Sequence, residues 1–239
     1  MSAALGWGAL AASSLVIGAL LGLVRPWPSR LLGLVLAFGA GALISAVSFD
    51  LAQEGAQLGD PGFLGLGLAV GATTYFALNR IVGRRSRRGS DRGADENSGT
   101  ALALGAFLDG IPEQAVLGIG IAAGDGVSVG LLVAIFLSNL PEAIGSSTEM
   151  RAAGTHAAAI RRLWFLVALI CTAATVAGYA IADNVSGNLN AAIDGFAAGA
   201  LLVMLIDSMI PEAARRAGNV AGLVTVLGFA VAAALSNLG

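Results

Sequence analysis

The feature that most constrains this sequence is a series of apolar runs, each about 20 residues long, separated by short polar connections. A helix needs about 20 mostly apolar residues to cross a bilayer. Backbone polar groups in lipid need partners within their own segment, so these runs are predicted to be helices. The eight predicted helices cover residues 4–24, 31–52, 63–82, 101–123, 127–148, 163–182, 192–210 and 220–238. The sequence therefore predicts an all-α, polytopic membrane protein in which residues 1–239 form one transmembrane domain.

The composition agrees with this class of protein. The mean hydropathy is +0.83, and charged residues make up 12% of the chain, whereas a soluble domain has about 25%. The net charge of -2 gives no basic surface for nucleic acid. The expected surroundings of the chain are therefore a lipid bilayer, and we predict the cell (plasma) membrane.

The basic residues fix the predicted orientation. The chain has 13 of them, all arginines, and they occur at the first, third, fifth and seventh connections. In chain order they are Arg25 and Arg30; Arg80, Arg84, Arg85, Arg87, Arg88 and Arg92; Arg151, Arg161 and Arg162; and Arg215 and Arg216. Because cytoplasmic connections carry the excess of arginine and lysine, both termini are predicted to lie outside. The third connection, residues 83–100, is predicted to be a mobile cytoplasmic loop.

Two predicted helices share a short sequence repeat. Residues 38–43 (FGAGAL) match residues 196–201 (FAAGAL), and the same offset of 158 residues aligns Glu54 with Glu212. These segments lie in the second and seventh helices, which cross the membrane in opposite directions. The pattern is typical of inverted repeats in transporters and predicts a 3+2+3 arrangement, with helices one to three mirrored by six to eight. Chance similarity between helices rich in alanine and glycine is the alternative.

Acidic side chains lie inside the predicted spans. They are Asp50, Asp109, Glu113, Glu142 and Asp207. A charged residue at the centre of a spanning helix costs about 2.5–3.5 kcal/mol on insertion scales. The chain has no lysine, and its arginines lie at helix ends or in connections, so these acids must be protonated, hydrated or bound to cations. Such a set of acids indicates a cation pathway.

The fourth and fifth helices each carry a Pro-Glu pair. Residues 107–113 (FLDGIPE) and 136–142 (FLSNLPE) match at an offset of 29. Asp109 and Glu113 are four residues apart and share a helix face, as do Ser138 and Glu142. Each proline removes an amide donor and frees the carbonyl four residues before it, which can line a cavity or bind an ion. Proline kinks that serve packing, beside neutral acids, are the alternative.

At these motifs the chain resembles the ZIP (Zrt-, Irt-like protein) family of metal transporters. Members of that family carry a His-Asn-x-Pro-Glu-Gly motif on the fourth helix and a His-x-x-Pro-Glu motif on the fifth, where this chain has DGIPEQ at 109–114 and SNLPEA at 138–143. The resemblance extends to eight spans with outward termini and a variable third connection. It implies a metal site between helices four and five, lined by Asp109, Glu113, Ser138, Asn139 and Glu142.

The function predicted from these features is divalent metal transport by alternating access, with the two repeats rocking against each other. The metal is the substrate, from the zinc, manganese and iron class, and no cofactor is expected. The motif histidines are missing, and oxygen ligands suit Mn²⁺ or Fe²⁺, so the sequence favours these ions over zinc. The pathway residues are predicted to be Asp50, Glu54, Asp207 and Glu212. Glycine-rich faces permit a homodimer.

Two other functions remain open at this point. A proton-coupled solute transporter also uses acids within the membrane. A sensor or scaffold that has lost transport would fit the missing histidines. An enzyme is not predicted, because a zinc hydrolase needs about three protein ligands including histidine, and the chain has one histidine, His156, in a connection.

Overall fold

The structure, a computed structural model, describes the backbone of residues 1–90, 98–123, 128–182 and 187–236, and the side chains of these residues except 82–90, 98–109, 123 and 236. Within these ranges every regular element is a helix. The predicted all-α class is thereby confirmed for the described part of the chain.

The helices follow one another with short connections. In chain order they are α1 (Ser2–Val24), α2 (Ser29–Leu58), α3 (Pro61–Ser90), α4 (Ser98–Ala123), α5 (Val129–Ala152), α6 (Ala157–Ala182), α7 (Asn188–Met204, continued by Leu205–Met209 and Ile210–Ala217) and α8 (Ala221–Ser236). Their bounds lie close to the predicted ones, except that α2, α3 and α7 continue beyond their predicted ends and α6 begins before its predicted start.

Six segments of the described residues are long and apolar enough to cross a membrane. They are Ser2–Val24, Ser29–Leu58, Pro61–Ile81, Val129–Ala152, Ala157–Ala182 and Asn188–Leu235. The last of them contains both α7 and α8, and α4 is not among the six. The chain is therefore a multi-pass membrane protein by this criterion, while eight separate spans in a 3+2+3 arrangement remain a prediction.

The segment predicted as a mobile loop is in part helical. Helix α3 continues through residues 83–90 and α4 begins at Ser98, so the backbone of these parts of the segment is helical, while the mobility of the connection remains a prediction. Arginine has a high helix propensity, and extending a formed helix costs far less than nucleating one, so an arginine-rich continuation stays helical. Residues 91–97 lie outside the described part of the chain.

Polar contacts show which helix ends lie together. The Asp60 amide donates to Asn188 Oδ1 at 2.8 Å, which joins the start of α3 to the start of α7. The Arg216 guanidinium lies 3.8 Å from the Glu149 carboxylate, which joins the end of α7 to the end of α5. The second and sixth connections thus share one end of the bundle and the fifth and seventh share the other, as the arginine pattern predicts.

The repeat seen in the sequence extends to a distortion of the backbone. Helices α2 and α7 each pass through a π-helical segment, Val47–Gln53 in α2 and Leu205–Met209 in α7, and these begin 158 residues apart. This is the same offset that relates residues 38–43 to 196–201 in the sequence. A π-helical segment is rare and frequently marks a functional site. Chance similarity between alanine-rich helices does not explain a shared rare distortion.

Glycine contacts follow the same pairing. A methyl group built on Gly41 of α2 would lie 1.8 Å from the Thr225 carbonyl oxygen of α8, and one built on Gly199 of α7 would lie 2.2 Å from the Leu68 carbonyl oxygen of α3. Gly41 and Gly199 are 158 residues apart. Equivalent glycines therefore bring α2 against α8 and α7 against α3, which supports the inverted repeat.

The helices pack in two groups that mix the repeats. Helices α1, α4, α5 and α6 contact one another, and α2, α3, α7 and α8 form a second group in which α7 contacts each of the other three. The groups meet where α2, α7 and α8 contact α5 and where α4 contacts α3 and α7. The proline-bearing helices therefore belong to one group, and the helices with π-helical segments belong to the other.

Candidate metal site

The two proline-bearing helices run side by side. Pro112 lies inside α4 and Pro141 lies inside α5, and both helices continue past their proline. Helix α2 approaches α5 at the first turn before Pro141, where a methyl group built on Gly39 would lie 3.1 Å from the Ser138 amide nitrogen. This glycine lets the backbone of α2 come close to the part of α5 whose hydrogen bonding the proline interrupts.

A carboxylate of α4 and a hydroxyl of α5 meet at the centre of this contact. Ser138 Oγ lies 3.0 Å from each carboxylate oxygen of Glu113 and 2.9 Å from the Ile135 carbonyl oxygen. Both side chains are only 1% exposed. The structure thus brings together two of the predicted ligands from different helices, in a place closed to bulk solvent.

A buried amide lies beside this pair. Asn139 is 1% exposed, and its Nδ2 has no hydrogen-bond partner among the described residues. Its Oδ1 lies 3.8 Å from the position that a methyl group on Gly110 of α4 would take. A buried N–H donor without a partner costs about 1–3 kcal/mol and calls for an acceptor, whereas a cation would be bound only by the Oδ1 of this amide.

The other two predicted ligands, Asp109 and Glu142, lie on the same two helices. Asp109 belongs to α4, but its side chain lies outside the described residues. Glu142 is half-buried on α5, one turn beyond Ser138. Among the described residues, no three side chains of histidine, cysteine, aspartate or glutamate come together as a ready metal site. The predicted set relies on serine and asparagine, and the Asp109 side chain is outside the described residues.

A second acidic group lies near the end of the bundle that holds the second and sixth connections. Ser128 Oγ donates to Asp50 Oδ2 at 2.6 Å and caps α5 by accepting from the Leu131 amide at 3.1 Å. Glu54 interacts electrostatically with Asp194 of α7, which is 6% exposed. The predicted pathway residues Asp50 and Glu54 therefore share this end of the bundle.

Asp194 is a residue that the sequence interpretation missed. It lies near the start of the seventh predicted helix and is the one acid in the described part of α7 that is fully buried. The available signal was an acid within an apolar run. The sequence does not show that α2 packs closely against this acid. A methyl group on Gly55 of α2 would lie 3.1 Å from Asp194 Cβ.

Glu212, the pathway acid predicted for the opposite end of the bundle, forms ion pairs with two arginines. Glu212 of α7 forms ion pairs with Arg215 and Arg216, the former at 2.6 Å. The Arg216 guanidinium is 11% exposed and reaches α5, where a methyl group on Gly145 would lie 3.2 Å from one of its nitrogens. Asp207, the last predicted pathway residue, is exposed on the π-helical segment Leu205–Met209.

A further polar pair joins α4 to α6. Thr175 Oγ1 donates to Gln114 Oε1 at 2.6 Å, and Gln114 Nε2 has no hydrogen-bond partner among the described residues. Gln114 follows Glu113 directly, so its buried amide lies next to the carboxylate in the chain. Buried polar contacts next to Glu113 in the chain therefore reach α6. The motifs on α4 and α5 did not predict this contact.

The comparisons with known proteins give one curated relative. The chain is 29% identical, over 201 residues, to a protein of Arabidopsis thaliana that is provisionally named a zinc transporter. The match covers 81% of this chain and 32% of the relative, so the chain spans about a third of the relative's length. No family model matches the chain. The relative is named a transporter of zinc rather than an enzyme, which is consistent with the resemblance to the ZIP family.

Proposed function

We propose that this chain carries divalent transition-metal ions across a membrane through a site between α4 and α5. The observation that carries the proposal is the buried contact of the Glu113 carboxylate with the Ser138 hydroxyl, beside the equally buried Asn139. Carboxylate, hydroxyl and amide oxygens are ligands that divalent cations accept. The proposed ligand set is Glu113, Ser138, Asn139 and Glu142, with Asp109 completing it from α4.

A transported cation would offset the charge of Glu113 and Glu142. A carboxylate at membrane depth is costly unless it is protonated or paired. The chain has no lysine, and its nearest arginines in sequence to Glu113 and Glu142 lie in connections or at helix ends. A cation bound at these carboxylates would offset their charge while it is bound.

The proposed path crosses the bundle from one acidic end to the other. Asp50, Glu54 and Asp194 would receive the ion at the end that the arginine pattern places outside. The ion would then bind at Glu113 and leave past Glu212, whose ion pair with Arg216 lies one turn beyond Glu142 along α5. This order follows the position of each acid along the helices.

The moving parts are proposed to be the two packing groups. The sequence predicted that the repeats rock against each other, but α1, α4, α5 and α6 draw helices from both repeats. A movement of this group against α2, α3, α7 and α8 would keep the contact between Glu113 and Ser138 intact. It would change the contacts that α5 makes with α2, α7 and α8 and that α4 makes with α3 and α7, including the approach of Gly39 to Ser138. We propose eight spans with both termini outside for this arrangement.

The proposed function predicts stabilisation of the protein by its substrate. Purified protein in detergent should melt at a higher temperature with Zn²⁺, Mn²⁺, Fe²⁺ or Co²⁺ than with Mg²⁺ or after chelation, because a ligand that binds only the folded state stabilises it. At a metal concentration a hundred times Kd, the expected gain is about 2.7 kcal/mol. A protein that melts identically with every ion would favour a proton-coupled solute carrier or a non-transporting relative.

A further inference from the structure

A groove opens between α1 and α6 on the outside of the helix bundle. Its volume is about 530 Å³, and its walls include Val16 and Leu20 of α1 and Phe165 and Leu166 of α6. Three of these four apolar side chains are exposed, Phe165 the most at 64%. Both helices are long and apolar enough to cross a membrane, so the exposed side chains face lipid. A hydrocarbon chain can therefore enter the groove from the bilayer.

The packing of α1 explains where the groove lies. Near its start, α1 touches α6, where a methyl group on Gly8 would lie 2.8 Å from Thr175 Cβ. Near its end, α1 touches α5 instead, where a methyl group on Gly22 would lie 2.6 Å from the Ile144 carbonyl oxygen. In that half the fully buried indole of Trp164 packs between α6 and its neighbours. Small residues let helices approach closely, whereas a side chain of this size keeps them apart.

Two arginines line the groove at the end that the arginine pattern places inside. Arg161 and Arg162 lie in the first two turns of α6, and both are exposed. In the described part of the chain the ion pairs involve other arginines, so neither of these two has an acidic partner there. Arg25 follows α1 at the same end, with its guanidinium 4.5 Å from the centre of the Trp27 ring. Tryptophan and arginine together are typical of the level of the lipid headgroups.

The polar side chains of the groove all donate hydrogen bonds. Besides the two arginines, the described residues that line it include one polar side chain, the indole of Trp164, whose Nε1 has no hydrogen-bond partner among the described residues. Guanidinium and indole groups donate and do not accept. A matching ligand therefore supplies acceptor oxygens and negative charge together with an apolar chain. A metal cation or an amine does not meet these requirements.

We infer that this groove binds an anionic phospholipid of the inner leaflet. One acyl chain lies between α1 and α6 against Leu20 and Phe165, and the headgroup phosphate lies at Arg161 and Arg162. Basic pockets between transmembrane helices on the cytoplasmic side bind anionic headgroups, and that leaflet is rich in anionic lipids. Helices α1 and α6 belong to the packing group that holds the proline-bearing helices, so the lipid would contact that group. The inference does not depend on whether the chain transports metal.

Native mass spectrometry tests the inference, because it counts the lipids bound to the intact protein. Protein purified in a mild detergent is titrated with phosphatidylglycerol, with phosphatidylcholine of the same acyl chains, and with glycerol phosphate, which has the charge but no acyl chain. We expect one phosphatidylglycerol to bind about tenfold more tightly than phosphatidylcholine, since its net charge is not cancelled within the headgroup. Glycerol phosphate should not bind at the same concentrations.

Three variants locate the site. Arg161→Gln/Arg162→Gln should weaken phosphatidylglycerol binding by about 25-fold, which is about fivefold for each arginine. Arg30→Gln/Arg151→Gln is the matched control, because it removes two exposed arginines from the same end of the bundle but outside the groove. Its effect should stay within about twofold, since salt screens distant charges. Leu20→Trp narrows the groove without changing the charge and should weaken the binding of both phospholipids.

Several results would overturn the site. Equal losses in the two double variants would show that only the overall charge attracts the lipid. Equal affinity of the wild type for the two phospholipids would remove the headgroup preference, and glycerol phosphate that binds as tightly as phosphatidylglycerol would indicate a site for free anions. A protein of twice the mass that carries no lipid would indicate that a second copy occupies the groove. If a variant does not fold, the comparison of the three ligands on the wild type decides.

Discussion

The Glu113→Gln variant should bind transition metals at least a hundredfold more weakly than the wild type while keeping its fold. Among the described side chains of α4 and α5, Glu113 is the one acid that is fully buried, and its loss should exceed the 10- to 100-fold effect of removing an outer-shell partner. The glutamine side-chain oxygen can still accept the Ser138 hydroxyl, which lies 3.0 Å from both carboxylate oxygens. Calorimetric titration with Zn²⁺ and Mn²⁺ measures the affinity directly.

Two control variants make this result specific. Ser138→Ala removes the hydroxyl but keeps the charge, so we expect a smaller loss of about tenfold. Glu149→Gln removes a carboxylate from the same helix α5 as Ser138, where the side chain is 47% exposed, and should bind metal as the wild type does. Equal losses in all three variants, or unchanged affinity in Glu113→Gln, would contradict the site at Glu113.

The second large effect is expected from one methyl group on α3. In Gly71→Ala the added carbon would lie 1.9 Å from the Phe196 carbonyl oxygen of α7, so the two helices must separate. Overpacking of this kind costs about 1–3 kcal/mol. Because the contact joins backbone to backbone, no side-chain rotation can relieve it. Equilibrium unfolding in detergent micelles should show the loss of stability.

Gly65→Ala is the matched control on the same helix. A methyl group there meets nothing within 4 Å, and alanine is a better helix former than glycine by about 1 kcal/mol. This variant should therefore be as stable as the wild type or slightly more stable. If Gly71→Ala were no less stable than Gly65→Ala, the close approach of α3 to α7 would be wrong.

The sequence predicted the parts of this fold that depend on local pattern. Long apolar runs determine the helices, because lipid leaves the backbone no other partner. The arginines predicted which connections share an end, and the contact of Glu149 with Arg216 agrees. The offset of 158 residues pointed to equivalent segments of α2 and α7, and their π-helical segments begin at that offset.

What could not be predicted depends on contacts between helices. The motifs suggested that Glu113 and Ser138 would meet, but their distance of 3.0 Å required the packing of α4 on α5. Asp194 becomes a candidate pathway residue only because Glu54 lies near it on another helix. The sequence gives residue types along one helix, whereas each of these pairs depends on how closely two helices approach.

The arginine-rich segment after α3 shows a different limit. Its composition is typical of a solvated loop, yet residues 83–90 extend the helix that precedes them. The composition of a segment indicates whether it is exposed to water. It does not distinguish an exposed helix from an exposed loop. Continuity with a formed helix decided between them.

The central claim is that this chain moves divalent metal through the two Pro-Glu motifs, and metal uptake into proteoliposomes tests it most directly. Wild type, the double variant Glu113→Gln/Glu142→Gln and the control Glu149→Gln would be reconstituted at equal density and given Zn²⁺, Mn²⁺, Fe²⁺, Co²⁺ and Cd²⁺. We predict uptake by the wild type and the control, and uptake at the level of empty liposomes for the double variant. Undiminished uptake by the double variant, or none by a folded wild type, would contradict the account.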